Sequence, residues 1–394
     1  FVTGGYVGVD IFFVISGFVI TGRILDDIRA GTFSIAEFYR RRIRRIFPAY
    51  LMTLCACIPL FYALMLPVDL VEFFHSMMAS VFSVSNIYFW KTSGYFDPAA
   101  TVRPLLHTWS LSVEEQFYVV WPLILLVAGA IAAKFRRPTK GLVLIFIVPV
   151  AIASLIYSIH FTQVNPEAAF FSTIARAWQL AFGAVLAMVL PKKIGMPGWL
   201  ATVIGVIAVG VLGWATYTMS ATTPFPGSNG LYPVLATMAL LVVGASGSGI
   251  TTRILSTRPF QYMGNISYSW YLWHWPFVVF ALGIFDNLNW HWLVVATLIS
   301  WIPTQISHTL LEDPVRRARI LKLRPNRALA IGGACSIAAA AFGLWLGSNR
   351  INVDILDQDQ VAGAAVIKDG KIPLVNSVDA IKPNPLHARD DRGQ

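Results

Sequence analysis

The run GLVLIFIVPVAIASLIYSI, residues 141–159, decides the class of fold. It holds no charged residue and no polar stripe of the kind that a half-buried helix of a soluble domain presents to water. The hydrocarbon core of a bilayer is about 30 Å thick and needs about 20 mostly apolar residues in a helix. Comparable apolar segments lie on both sides of it, at approximately 7–25, 47–66, 113–133, 172–190, 198–219, 231–248, 266–285, 291–311 and 327–347. Only 13% of the chain is charged and 56% is hydrophobic, whereas an ordinary soluble domain carries about 25% charged residues. The expected fold is therefore all-α: a polytopic integral membrane helical bundle of about ten transmembrane helices, with lipid as its main solvent.

Charge placement orients the bundle. The net charge of +10 is gathered in short runs between apolar segments, at Arg40 to Arg45, Lys134 to Lys140, Lys192-Lys193, Arg253 with Arg258, and Arg316 to Arg327. That distribution fits the positive-inside rule, and no nucleic-acid partner is needed to explain it. The stretch 70–90 carries Asp69, Glu72, His75 and Asn86 and ends on Tyr88-Phe89-Trp90. Treated as a re-entrant or surface element, it leaves all the basic connections on one side, the cytoplasmic one. The opposite connections, 160–171, 220–230 and 286–290, then hold no Lys or Arg. On this reading residues 1–347 form the membrane domain of a multi-pass inner-membrane protein, and 348–394, rich in Pro, Gly, Asp and Asn, form an extracytoplasmic, periplasmic linker or tail. Cys55, Cys57 and Cys335 lie in apolar stretches without ligand spacing, so no disulfide framework and no metal site is expected. Phe1 is preceded by no initiator Met and followed by no leader sequence, which reads as the start of a fragment.

Five polar stretches interrupt the apolar text. In GGYVGVDIFFVISGF, residues 4–18, Asp10 sits at the outer end of a span and the Ser16-Gly17 pair deep within it. Tight packing with an interfacial carboxylate is one reading and a catalytic role for Asp10 is the other. YRRRIRRIFPAY, residues 39–50, stacks Arg40 on Arg44 and Arg41 on Arg45 at helical spacing. The run either fixes topology and meets lipid headgroups, or forms a phosphate clamp in which Arg41, Arg44 and Arg45 hold a nucleotide-bearing acyl donor such as acyl-CoA.

PLLHTWSLSVEEQFYVVWP, residues 104–122, is the densest polar cluster. Ser112 followed by Glu115 has the spacing of a capping box, which would start a helix there. Capping accounts less well for His107, Glu114 and Gln116. Glu114, Glu115 and His107 are thus candidate catalytic residues: a carboxylate at this outer mouth could orient or deprotonate a catalytic imidazole, and of the pair Glu114 is the stronger candidate, with Glu115 as the cap. GNISYSWYLWHWP, residues 264–276, places His274 and Tyr271 among Trp residues, either as an aromatic belt or, with Ser16 and Tyr118, as the lining of an acceptor cavity for a sugar or lipid carrier. LEDPVRR, residues 311–317, reads as internal ion pairing at the cytoplasmic end of a span.

These stretches, in this order and with SNIYFWKTSGYFD at 85–97, resemble the acyltransferase type 3 family of membrane acyltransferases, particularly its bacterial polysaccharide O-acetyltransferases. The resemblance implies transfer of an acetyl or other acyl group from cytoplasmic acetyl-CoA or another acyl-CoA to an outward-facing glycan of the cell envelope, such as O-antigen, lipopolysaccharide or exopolysaccharide. Acyl-CoA and the glycan are then substrates, the lipid bilayer is the surrounding partner, and no bound cofactor is implied. The family carries a catalytic His just upstream of the GGYVGVD run, so the chain as given is expected to be inactive, and the missing span would raise the count to eleven. The segment 327–347 matches the extra span found where a periplasmic SGNH-type domain follows. A multi-span transporter or flippase is the competing reading, but the sequence shows no internal inverted repeat.

Overall fold

The structure is a computed structural model that describes residues 3–62, 67–92, 103–135, 139–191, 194–285 and 289–317, with scattered single positions between 330 and 345. Every element among the described residues is helical. Two long helices open the bundle, α1 (Val7–Arg29) and α2 (Ile35–Tyr62). The helical pair α3 (Pro67–Val81) and α4 (Ser85–Thr92) follows, and then α5 (Thr108–Lys134) and α6 (Thr139–Val164). A short α7 (Pro166–Phe171) leads into α8 (Thr173–Val189), α9 (Gly198–Thr218) and α10 (Leu231–Ser246). The last group is α11 (Ile250–Leu255), α12 (Arg258–Ile284), α13 (Trp290–Ile299), α14 (Trp301–Ser307), a π-turn over His308–Glu312, and α15 (Asp313–Arg317).

Among the described residues six stretches are long and apolar enough to cross a membrane: α1, α2, Thr108–Ile131, Lys140–Val164, α9 and the continuous run Trp290–Arg317. The expected count of about ten is not confirmed. α8 and α10 have 17 and 16 residues, a rise of only about 24–26 Å against about 30 Å of hydrocarbon. α12 has 27 residues, but its Trp, Tyr, Ser and His content keeps it outside the strongly apolar set. The expected last span, 327–347, and the tail after it fall almost wholly outside the described residues. The stretch 70–90 is not one rod: the helix breaks at Phe82–Val84, where Ser83 takes a positive φ of 56°. Outward faces are apolar, with Ile145, Ile156 and Ile207 all at least 60% exposed, as lipid contact requires.

The closest helix crossing is that of α1 with α8. A Cβ added to Gly17 would stand 1.9 Å from the Leu180 carbonyl oxygen, and one added to Gly183 would stand 2.1 Å from that of Val14. Glycine on each helix thus lets the two backbones touch, which lipid-embedded helices need because water supplies no squeezing force between them. One turn away, the contact is pinned by charge. Asp10 and Arg176 are both fully buried, with Arg176 Nη1 3.1 Å from Asp10 Oδ1. Gln179, one turn further along α8, donates to the same carboxylate oxygen, and Arg176 Nε donates to the Phe170 carbonyl at 3.0 Å. The guanidinium lies against an aromatic cage, 4.7 Å from the Phe170 ring, 5.1 Å from Phe225 and 5.3 Å from Trp109.

Removing one member of such a pair leaves a buried charge without its counter-ion. Arg176→Met is expected to lower stability by about 3–5 kcal/mol, and Gly183→Val by about 1–3 kcal/mol through overpacking, both read as thermal unfolding of the purified protein in detergent. A midpoint unchanged in both variants would exclude the α1–α8 crossing as the bundle's anchor.

Candidate active site

α5 starts at Thr108, one turn before the expected Ser112 cap. The turn ahead of it supplies the reason: the Thr108 amide donates to the Leu105 carbonyl at 3.0 Å, so the chain is already coiled on reaching the helix. Ser112 is consequently helix interior and caps nothing. Its hydroxyl belongs to a chain running Ser80–Thr108–Ser85–Ser112, with separations of 2.8, 3.0 and 2.7 Å. Gln116, one turn on, donates to the Ser83 carbonyl at 2.9 Å and to Asn86 Oδ1 at 3.0 Å, and it accepts from Thr173 at 2.5 Å. One face of α5 therefore holds the broken α3–α4 pair in the bundle by polar contacts and satisfies the carbonyl freed at the break.

The early start also places the carboxylates inside the helix. Glu114 lies six residues into α5, about 9 Å along its axis. Its side chain is buried. Glu114 Oε1 accepts from Ser16 Oγ of α1 at 2.5 Å and from the Tyr118 hydroxyl one turn along α5. Arg42 of α2 spreads its guanidinium over the Tyr118 ring at 4.3 Å, and Arg42 and Arg45 are the cations whose charge faces Glu114. Glu115 points elsewhere, toward a pocket between α2 and the end of α3, and its Oε1 is buried with no hydrogen-bond partner among the described residues.

Toward the N-terminal end of α5, where it meets α12, His107 is buried with its ring 5.4 Å from Tyr271 and 5.8 Å from His274. The Tyr271 hydroxyl donates to the His107 carbonyl at 2.5 Å and pairs with Ser110 Oγ at 2.6 Å. His274 Nδ1 lies 2.7 Å from the Tyr271 carbonyl, and Trp275 Nε1 donates to the Arg103 carbonyl at 2.8 Å. The four residues expected to share an acceptor cavity therefore form two groups, Ser16 with Tyr118 on Glu114 and Tyr271 with His274 beside His107. Phe12, one turn from Ser16 on α1, stacks on Tyr271 and links the groups.

The arginines expected to clamp a donor do not converge. Arg41 is engaged by Asp27 at 2.5 Å and Glu37 at 3.6 Å, and Arg44 is buried and donates to the Arg316 carbonyl. Arg45 is exposed. Asp10 is held by Arg176 and Gln179 away from the Glu114 group. At the far end of the bundle Asp313 pairs with Arg316 and Arg317 at 2.7 and 2.8 Å, the internal pairing expected of that stretch, while Glu312 is buried and accepts from Ser269 at 2.7 Å beside His308 at 3.2 Å. No group of metal-ligating side chains occurs among the described residues.

Comparison with known proteins decides the family. A family model described as an acyltransferase domain, the third of that name, matches residues 1–304. The chain belongs to the acyltransferase type 3 family. It is similar to the O-acetyltransferase OatA of Staphylococcus aureus, 29% identical over 329 residues that cover 80% of this chain and 53% of that protein. It is similar also to the peptidoglycan O-acetyltransferase OatA of Listeria monocytogenes, 29% identical over 329 residues, 80% of this chain and 52% of that protein. The chain thus spans about half the length of the curated relatives it matches. No solved structure matches it.

Two features of this acyltransferase chain escaped the sequence reading. Arg176 stands alone in an otherwise apolar segment with Gln179 one turn on, and an isolated cation in a span is the signal that should have drawn attention to it. Arg42 had no such signal, because nothing in a run of five arginines says which one turns inward. The shared acceptor oxygen gives a direct test of the central group. Ser16→Ala and Tyr118→Phe are each expected to destabilise the protein by about 1.5–3 kcal/mol, as for hydrogen bonds to a charged group, and a double-mutant cycle should show coupling of about 0.5–3 kcal/mol. Strict additivity would mean that the two hydroxyls do not share Glu114.

Proposed function

We propose that this chain is the membrane part of an O-acetyltransferase that takes an acetyl group from cytoplasmic acetyl-CoA, or another short acyl-CoA, and places it on a hydroxyl of an extracytoplasmic cell-envelope glycan. The names of its relatives point to peptidoglycan as the acceptor. The observation that carries the reading, beside the family match, is the buried Glu114 carboxylate. It receives two hydroxyl donors and lies between a basic mouth, Arg42 and Arg45, and the His107, Tyr271 and His274 group.

In the net reaction the acceptor's hydroxyl oxygen bonds to the thioester carbonyl carbon and the C–S bond breaks. The hydroxyl proton ends on the leaving thiol, giving an ester and free CoA. A carboxylate can carry that proton between the two, which is the role assigned to Glu114. Ser16 and Tyr118 position it. Arg45, with Arg42 behind it, meets the donor's phosphates, because guanidinium forks match phosphate oxygens. His107, Tyr271 and His274 offer ring faces and polar edges to the glycan. Asp10 acts from the scaffold by fixing α1, which carries Ser16. The protein sits in the cytoplasmic membrane with the α1–α2 turn inside and the tail beyond residue 348 outside.

Isotope-labelled acetyl-CoA supplied to membranes holding the full-length protein should place label in isolated peptidoglycan as alkali-labile ester. Glu114→Gln should cut that transfer by about 100-fold or more at wild-type expression. Arg45→Gln should raise the apparent donor constant about tenfold, the size of a lost charge-assisted hydrogen bond. Label confined to another glycan would reject the acceptor, and near-normal transfer by Glu114→Gln would reject the carboxylate. Cysteines introduced at Thr32 and Thr92 test the topology: in intact cells an impermeant maleimide should reach the second and not the first.

A further inference from the structure

The arginines of α1 and α2 divide by partner. Arg29 pairs with Asp26 at 3.2 Å, Arg40 with Glu37, and Arg41 with Asp27 at 2.5 Å. Arg44 is buried and donates to the Arg316 carbonyl. Asp26, Asp27 and Glu37 are the only acids between residues 11 and 62, so the hairpin of α1 and α2 has none left for Arg23, Arg42 and Arg45. Arg42 meets rings, 4.3 Å from that of Tyr118 and 5.8 Å from that of Phe38. Arg23 and Arg45 are exposed and engage no partner among the described residues.

Helix geometry brings these three together. Asp27 and Arg41 touch across the hairpin. One turn back along α1 from Asp27 stands Arg23, and one turn on along α2 from Arg41 stands Arg45, so in an antiparallel pair both lie at one level on faces that already meet. Arg23 also shares the stripe of Ser16, seven residues and two turns away, about 10 Å along α1. Ser16 holds Glu114, and Arg42 and Arg45 are the cations whose charge faces that carboxylate. Positive charge without a counter-ion thus gathers on the side of the Glu114 group nearest the hairpin turn.

We propose that Arg23 completes, with Arg42 and Arg45, a phosphate cradle for the acyl donor, so that the donor is gripped between α1 and α2. The inference rests on the acyl-CoA reading given above. A CoA thioester carries its phosphates at the far end of a long pantetheine arm, so the cations that meet them belong well away from the reacting carbon. Arg23, two turns from Ser16, has that place. No contact within the chain calls for a cation there, whereas an anionic ligand does, and a guanidinium fork matches phosphate oxygens. A lipid headgroup phosphate shares this chemistry, and the test separates the two sources.

The test compares kcat/KM for transfer to peptidoglycan from acetyl-CoA and from acetyl-pantetheine, which lacks the phosphates of the nucleotide, on the purified full-length protein in lipid-free nonionic detergent. Arg23→Gln should lower the acetyl-CoA value about tenfold through KM, the size of a lost charge-assisted hydrogen bond, and leave the acetyl-pantetheine value where it was. Arg23→Lys should lose less, because the charge remains and only the fork is gone. Arg29→Gln, which removes an exposed arginine of the same helix already paired with Asp26, should leave both donors unaffected. Equal losses on the two donors would make Arg23 a structural residue and overturn the proposal. No loss on either would also overturn it while leaving the acyltransferase reading intact. In that case, phosphatidylglycerol raising the unfolding midpoint of the wild-type protein but not of Arg23→Gln would assign the arginine to lipid. Failure of the wild-type protein to use acetyl-CoA would overturn the donor part of that reading, and the ligand of Arg23 with it.

Discussion

The Arg176 guanidinium and the Asp10 carboxylate stand side by side, fully buried, where α8 meets α1. In lipid neither Asp10 nor Arg176 could be tolerated alone. Placed 3.1 Å apart and completed by Gln179 and the Phe170 carbonyl, the pair is compatible with burial and permits only one relation between α1 and α8. Gly17 and Gly183 then allow the backbones to close. The rest follows from that register. It brings Ser16 level with Glu114, Thr21 level with Trp121, whose Nε1 donates to it at 2.8 Å, and Phe12 against Tyr271.

α5 is the element on which the polar groups meet. Along one stripe it carries Ser110, Glu114 and Tyr118, with His107 in the turn just before it, and these join α1 and α12. Along another it carries Thr108, Ser112 and Gln116, which take up the loose hydroxyls, amides and carbonyls of the broken α3–α4 pair. Glu115 falls between the stripes, at about 100° from Glu114, and so faces the gap toward α2. Two adjacent carboxylates thus have different neighbours for a purely geometric reason, and a helix break at membrane depth is tolerated because α5 satisfies its backbone.

Much of the fold was legible beforehand, because the need to satisfy every backbone group in lipid leaves helices as the natural spanning element and makes them visible as long apolar runs. The all-helical class was read from such runs, and the polar concentration at 104–122 from the way it interrupts them. The helix count was not, since the sequence does not say whether a 17-residue apolar stretch such as α8 crosses alone or packs inside the bundle. The capping box at Ser112 failed for a related reason. Its spacing is also satisfied inside a helix, and the coil of 104–107 that pushes the true start back to Thr108 has no distinctive sequence signature.

By itself the sequence determined the solvent of this protein, the family it belongs to, and the inventory of groups available for chemistry: two adjacent carboxylates, a basic run and two histidines among aromatics. Only the tertiary structure decided which of them share an atom. Asp10 goes to Arg176 and Glu114 to Ser16 and Tyr118, Arg41 is engaged by Asp27 and Arg44 by the Arg316 carbonyl, and Arg42 turns inward. Those choices depend on the rotation of each helix about its own axis. For α1 and α8 that rotation is set by glycine contacts and buried charge between segments more than 160 residues apart, which no reading of either segment alone contains.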